Sequence, residues 1–189
     1  MPYVLRQEGT PVMIGRSKLY SHSQITARVR RISREISDTI EKDKPLYAVC
    51  VLKGAALFYA DLVRGMRGDV RFAFVSASSY KSGDGRMVSA GSVDMRYCSL
   101  TDKEIDGADI LLVEDIVDTG RTIAALKMYF KEKKAWRVRV ATLLDKPDCR
   151  VEDIEPDFSA FTLTGNPYII GYGLDNDQKW RNLDGIYSL

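Results

Sequence analysis

Between positions 21 and 42, the apolar residues Ile25, Val29, Ile32, Ile36 and Ile40 recur every three or four residues, the spacing of a single helix face. This predicts one long amphipathic helix from Ser21 to about Lys42. Its other face carries Arg28, Arg30, Arg31 and Arg34, which read as solvated charge, with an acidic or nucleic-acid partner as the alternative. Beyond it the pattern changes. Leu46 to Leu52 is an unbroken apolar run, the kind found in a strand buried on both faces. Ala55 to Arg64 reads as helix and Val70 to Val75 as strand. Ile110 to Val113 is a second apolar run, Ile123 to Lys133 is helical, and Val138 to Leu144 is a third buried strand. Short strand candidates follow at Phe158 to Leu163 and Tyr168 to Tyr172. Strand and helix in alternation imply right-handed crossovers. The expected fold class is α/β, with a mostly parallel central sheet flanked by helices. Ala77 to Tyr97 is rich in Ser and Gly with weak periodicity, and is expected to be a functional loop or hairpin lid.

Composition narrows the choice. The chain has 189 residues, 45% of them hydrophobic and 29% charged, which suits one compact domain that buries roughly 70% of its unfolded surface. A net charge of only +2 indicates no general affinity for nucleic acid or membrane. The N-terminus shows no signal-peptide pattern, and no apolar run approaches the ~20 residues that cross a bilayer. Cys50, Cys98 and Cys149 are widely spaced and form no CxxC pair. They read as reduced thiols in a cytoplasmic protein. His22 is the only histidine, which excludes most zinc sites, and its place near a helix start suggests a surface or cap role.

The chemistry concentrates in ILLVEDIVDTGRT, Ile110 to Thr122. Ligands of open α/β sheets bind at the carboxyl ends of strands, so Glu114 and Asp115 are expected to project into a site. The following turn offers hydroxyls from Thr119 and Thr122, close backbone approach at Gly120 and free N–H groups at a helix start. One phosphate is the natural guest. The run contains neither GxxxxGK[ST] nor GxGxxG, so it is neither a Walker loop nor a dinucleotide fingerprint.

This run resembles the signature of type I phosphoribosyltransferases, and the chain is similar to their hypoxanthine-guanine branch from about Leu46 to Leu183. The resemblance implies a single domain over residues 1–189, with a small hood built from the N- and C-terminal segments and a flexible lid loop. It implies ribose binding, and possible metal contact, at Glu114 and Asp115. It implies 5′-phosphate binding at Asp118, Thr119, Gly120, Arg121 and Thr122, with Asp118 placed by N7 of the purine as the catalytic carboxylate. Val51-Leu52-Lys53-Gly54 resembles the diphosphate loop of the family, whose members often carry a cis bond before this lysine, so a cis bond at Leu52–Lys53 would mark a functional site. Gly173 to Leu183 resembles the terminal motif, implying Asp175 as a ligand of Mg2+ and Arg181 as a partner of the diphosphate. The chain departs from that motif at Asn176, where relatives carry an aromatic, and at Gln178, where they carry an acid.

The base side follows by the same resemblance. Lys146, just past a buried strand, implies a donor to O6 of a 6-oxopurine. Lysine has no acceptor, so such a site disfavours adenine. Tyr168 matches the aromatic that stacks on the purine. Ile169 and the Asp175 carbonyl imply backbone contacts to the base. Ser79-Tyr80 matches the lid, expected to be weakly ordered without ligand. The expected activity is transfer of a phosphoribosyl group from phosphoribosyl diphosphate to hypoxanthine or guanine, in purine salvage. The expected partners are these two substrates, no nucleic acid, no membrane, and further copies in a homodimer or homotetramer. Two alternatives use the same fold: a nucleotide-sensing regulator, and a transferase for a pyrimidine or another base. Lys53, Asp118, Lys146 and Arg181 together argue for catalysis; Lys146 and Tyr168 argue for a purine.

Overall fold

Three short strands precede the first helix in the computed structural model, which describes residues 3–7, 10–14, 17–79 and 93–189. Tyr3–Gln7 (β1) and Thr10–Ile14 (β2) pair as an antiparallel hairpin, and Ser17–Tyr20 (β3) leads into helix α1, His22–Ser37. Ser21 caps α1 with a capping box: its hydroxyl accepts from Gln24 N–H while the Gln24 side chain accepts from Ser21 N–H. His22 therefore stands on the first turn, exposed. The helix stops at Ser37 rather than near Lys42. Ser37 and Thr39 hydroxyls donate to the carbonyls of Ser33 and Ile36 at 2.6 Å each, offering the backbone an exit from the helix. Ile40 still packs on the core after the helix has ended, which is why its spacing read as helical.

Leu46–Leu52 (β4), helix Ala56–Arg64 (α2), Val70–Ser79 (β5) and Val93–Cys98 (β6) follow, then the short helix Asp102–Ile105 (α3), Asp109–Val117 (β7), helix Arg121–Glu132 (α4), Arg137–Asp145 (β8) and Phe158–Thr162 (β9). The central sheet has the order β6-β5-β4-β7-β8-β9. All its neighbours are parallel except β5 and β6, which pair antiparallel at one edge. The region expected to be loop from Ala77 to Tyr97 thus contributes strand at both ends, from Ser79 back and from Val93 on. Last come Ile169–Ile170 (β10) and Ile186–Ser188 (β11), which join β3 in a separate sheet of order β10-β11-β3.

Successive residues of a strand face opposite sides, and both sides are covered here. Ala48, Cys50, Leu111, Val113 and Ala141 face Ile25, Ile32, Phe58 and Leu62 of α1 and α2. Val49, Leu112 and Val140 face Ile123, Leu126 and Phe130 of α4. The buried Ser33 hydroxyl bonds the carbonyls of Val29 and Leu62 at 2.9 Å, tying α1 to α2. Among the described residues, no helix is long and apolar enough to cross a membrane. All three cysteines are free.

Candidate active site

The parallel register carries β7 and β8 to the same rim. Val117 lies opposite Asp145, and Lys146 N–H donates to Val117 O at 3.0 Å. The next residue on each strand is therefore a neighbour of the other, which sets Asp118 beside Lys146.

Three and two positions before Val117, Glu114 and Asp115 meet at close range. Asp115 is 9% exposed, and the Oε2 atom of Glu114 is buried with no hydrogen-bond partner. Burial pushes the Glu114 carboxyl well above the usual carboxylate range, and the charge of Asp115 and a hydrogen bond with it add to the rise. Asp115 is also raised by burial, against the pull of its bonds to Glu114 and Ile116 N–H and the charge of Arg181. Both carboxyls are thus biased toward the protonated form, Glu114 the more strongly. Beneath them the Cys50 thiol is pushed up to about 12 by burial and by the two acids, so it stays protonated and inert.

The loop after β4 closes on this pair. The Leu52–Lys53 peptide is cis, as the resemblance implied. A Cβ on Gly54 would lie 1.7 Å from Asp115 Oδ2, and a Cβ on Gly173 would lie 2.0 Å from Gly54 O. Only glycine admits both approaches. They gather the acidic strand end, the β4 loop and the C-terminal turn at one place. Lys53 is exposed beside them. Arg181 donates from Nη1 to Gly173 O at 2.6 Å, and its Nη2 pairs with Asp175 Oδ1 at 2.6 Å. The other Asp175 oxygen accepts from Gln178 N–H at 2.8 Å.

On the far side of β7, Gly120 stands left-handed at φ 83° just before α4. The first intrahelical bond of α4 is Ala124 N–H to Gly120 O, so the N–H groups of Arg121 to Ile123 precede the ladder and face outward at the helix start. Thr119 O accepts from both Val151 and Glu152 N–H, bracing the loop from behind. Thr119 Oγ1 accepts from Arg121 N–H at 3.5 Å, and Thr122 is partly buried on the first turn.

Lys146 is 3% exposed, not a solvated surface lysine. Its Nζ donates to Asn166 Oδ1 at 2.5 Å and to Pro167 O at 3.4 Å. Tyr168 follows at once, with its ring 55% exposed, so it is not core packing. Its hydroxyl donates to Asp175 O at 3.4 Å or Asn176 Oδ1 at 3.3 Å. Ile169 is buried in β10. The two departures from the family motif both have contacts: Asn176 meets the Tyr168 hydroxyl, and Gln178 Oε1 lies 3.5 Å from Arg181.

The sequence model of the phosphoribosyl transferase domain matches residues 15–177. The chain belongs to the phosphoribosyltransferase family. It is 39% identical to a hypoxanthine-guanine phosphoribosyltransferase of Streptococcus thermophilus over 165 residues, covering 87% of this chain and 88% of that one. To the enzyme of that name from Streptococcus pneumoniae it is 38% identical, covering 89% of each. A crystal structure of a hypoxanthine-guanine phosphoribosyltransferase from Bacillus anthracis superposes with a TM-score of 0.80 at 33% identity, covering 92% of this chain and 97% of that one. A hypoxanthine phosphoribosyltransferase from Staphylococcus aureus gives 0.83 at 28%, covering 93% and 91%.

In this phosphoribosyltransferase the donors suited to a divalent cation are carboxylate oxygens. The orphaned Glu114 Oε2 and the adjacent Asp115 are hard oxygen donors that, once ionised, fit Mg2+ or a ribose hydroxyl. Among the described residues, however, no three acidic, histidine or cysteine side chains gather as a ready cage, and Asp175 does not join Glu114 and Asp115 in one. Such a site leaves most ligand positions to the substrate's own phosphate oxygens. For the lid, Ser79 ends β5 opposite Val93, while Tyr80 and the expectation of weak order lie outside the described residues.

Several residues of this rim carry no local sequence signal. Asn166 is one: G-N-P marks a turn but not the lysine it meets. Arg150 pairs with Asp145 behind the Thr119–Thr122 loop, and Asp61 on α2 accepts from Tyr172. Asn166 and Asp61 meet partners 20 and 111 positions away, which periodicity does not encode.

Proposed function

We propose that this chain transfers the phosphoribosyl group of 5-phosphoribosyl 1-diphosphate to N9 of hypoxanthine or guanine, giving IMP or GMP and diphosphate. The observation that supports this reading best is the contact chain from Asp115 through Gly54 to Gly173, which brings the acidic strand end, the β4 loop and the turn that receives Arg181 close together.

In this reading Glu114 and Asp115 bind the ribose hydroxyls. Thr119, Gly120, Arg121 and Thr122 hold the 5′-phosphate with backbone N–H and hydroxyl donors. The N–H groups of Lys53 and Gly54, with Arg181, receive the departing diphosphate. Lys146 donates to O6, Tyr168 stacks on the base, and backbone groups at Ile169 and Asp175 meet its edge. As N9 attacks the sugar and the bond to diphosphate breaks, the anomeric carbon acquires oxocarbenium character. Asp118 accepts the purine proton at N7, so the base attacks as a better nucleophile. Asp175 and the Glu114–Asp115 pair would hold Mg2+, which would supply positive charge to offset that of the leaving group. Ser79 and Tyr80 act as the lid that keeps water from the cationic centre. The β10-β11-β3 sheet serves as the hood over the base.

The same reading places the chain in the cytoplasm, in keeping with its free cysteines, as a homodimer or homotetramer. Phe72 and Phe74 of β5 and Tyr97 of β6 share one sheet face, 61%, 37% and 53% exposed, an apolar patch suited to a second copy. The test is a base panel. Purified protein with Mg2+ and the sugar diphosphate should convert hypoxanthine or guanine to the nucleotide and leave adenine unchanged. Absence of product with both 6-oxopurines would refute the reading.

A further inference from the structure

Tyr172 stands where a tyrosine is out of place. Its φ is +48°, in the left-handed region that bulky residues avoid, and it is 4% exposed. It sits between two glycines pressed against backbone. A Cβ on Gly171 would lie 2.1 Å from Gly185 O, and one on Gly173 2.0 Å from Gly54 O. The turn is therefore threaded through a slot with no side-chain room at either end, and its one large side chain projects into the body of the protein. There the Tyr172 hydroxyl donates to Asp61 Oδ2 at 2.5 Å. Its backbone N–H donates to Leu183 O at 2.9 Å.

Asp61 lies on α2, the helix that starts directly after Lys53 and Gly54. The turn that Tyr172 belongs to carries Gly173, whose carbonyl receives Arg181 and whose N–H donates to Arg181 O at 2.9 Å. One hydrogen bond thus joins the element that follows the Lys53–Gly54 loop to the element that orients Arg181. We propose that Tyr172 is a positioning residue for the leaving diphosphate, its hydroxyl bond to Asp61 setting the distance between the Lys53–Gly54 loop and Arg181. This rests on the assignment of that loop and Arg181 to the diphosphate. Packing alone would be served as well by phenylalanine. The hydroxyl adds a charge-assisted bond, the strong class, at the point where the two halves of the diphosphate site meet. Burial and the Asp61 carboxylate both raise the Tyr172 pKa, so the hydroxyl keeps its proton and remains a donor.

The experiment compares Tyr172→Phe, Asp61→Leu and Asp61→Asn with the parent protein in the full chain. It measures KM for both substrates, kcat, calorimetric Kd for the sugar diphosphate with Mg2+, and melting temperature. Loss of a hydrogen bond to a charged group predicts a rise of about tenfold in KM and Kd for the sugar diphosphate in Tyr172→Phe and Asp61→Leu. The purine KM and saturating kcat should stay within about twofold, as expected for lost ground-state binding. Asp61→Asn keeps an acceptor and should restore the parent KM. A lower melting temperature with unchanged Kd would assign Tyr172 a purely structural role and overturn the proposal. So would an equal rise in both substrate KM values, or an Asp61→Asn protein as weak as Asp61→Leu. If the parent binds the sugar diphosphate but turns over no purine, the base assignment fails, and the Kd comparison still decides the role of Tyr172.

Discussion

Strand β7 carries acids at both ends, and the protein treats them in opposite ways. At the entry, Asp109 is 2% exposed and fully engaged: Arg137 donates to it at 3.0 and 2.6 Å, and Arg139 at 2.9 Å. Thr39 takes another Arg139 donor. At the exit, Asp115 is 9% exposed and Glu114 is half-buried, yet one Glu114 oxygen is buried without a partner and burial raises the pKa of both carboxyls. Burying a carboxylate costs several kcal/mol unless it is paired. The fold meets that cost for Asp109 with its own arginines. At the exit it leaves the cost standing, and a ligand with hydroxyls or a cation can relieve it. The satisfied acid is structural, and the acids proposed to bind ribose are marked by what they lack.

The largest expected effect that sharpens this contrast lies just beyond the exit. Asp118→Asn removes the proton acceptor while keeping size and most contacts. It should lower kcat by roughly 10²–10⁴-fold and leave the Kd for the sugar diphosphate nearly unchanged. Steady-state kinetics with titration calorimetry would show the split. A kcat equal to the parent's would remove Asp118 from the chemistry.

The entry end should answer in the other currency. Asp109→Ala strands the buried Arg139, 7% exposed, and breaking one partner of a buried pair costs about 3–5 kcal/mol. For a domain of this size that is a fall of roughly 6–20 °C in melting temperature. The folded fraction should keep the parent kcat, since Asp109 touches no part of the rim. Thermal unfolding and assays at low temperature separate the two readouts. A large kcat loss without loss of stability would mean the two ends of β7 are not independent.

That division also explains what the sequence revealed. The centre of the sheet was legible because β4, β7 and β8 are buried on both faces and so are rich in apolar residues, unbroken in β4 and from Ile110 to Val113 of β7 and interrupted in β8 by Arg139 and Thr142. The edge was not: β6 (VDMRYC) alternates irregularly and is held by backbone pairing to β5, which leaves no composition to read. Helix α3 went unread: it opens with a Thr101–Glu104 capping box, but four residues are too few to show a period. Strands β3, β10 and β11 are so short that only their mutual pairing defines them. In the candidate site, the residues that the sequence singled out carry their chemistry in their letters: the acids, Lys53, Lys146 and Arg181. Their supports, Asn166, Asp61 and Tyr172, were not singled out, because a partner 20 or 111 positions away is chosen by topology rather than by any local pattern.

The smallest expected effect tests the unsatisfied pair itself. Glu114→Gln replaces a proton-holding acid with a neutral side chain of the same shape. The sign follows from the raised Glu114 and Asp115 pKa values. In the folded protein the proton is retained at pH values where the unfolded chain has already lost it. The pair's contribution to stability is therefore complete below the ordinary carboxylate pKa and is lost as pH rises through the raised one. Ligand-free Glu114→Gln should escape that loss. Its melting temperature should match the parent's in acid and exceed it at alkaline pH, by roughly 2–4 °C for each kcal/mol recovered. Binding runs the other way. A ribose or Mg2+ ligand that needs both carboxylates ionised must expel the retained proton, so the parent's affinity for the sugar diphosphate should tighten as pH rises. Calorimetry in buffers of different ionisation enthalpy should register proton release in the parent and none in Glu114→Gln, which binds more weakly at every pH. A variant that gains no stability at high pH, or a parent that binds without releasing a proton, would show that the exit acids are as fully satisfied as Asp109, and the contrast along β7 would fail.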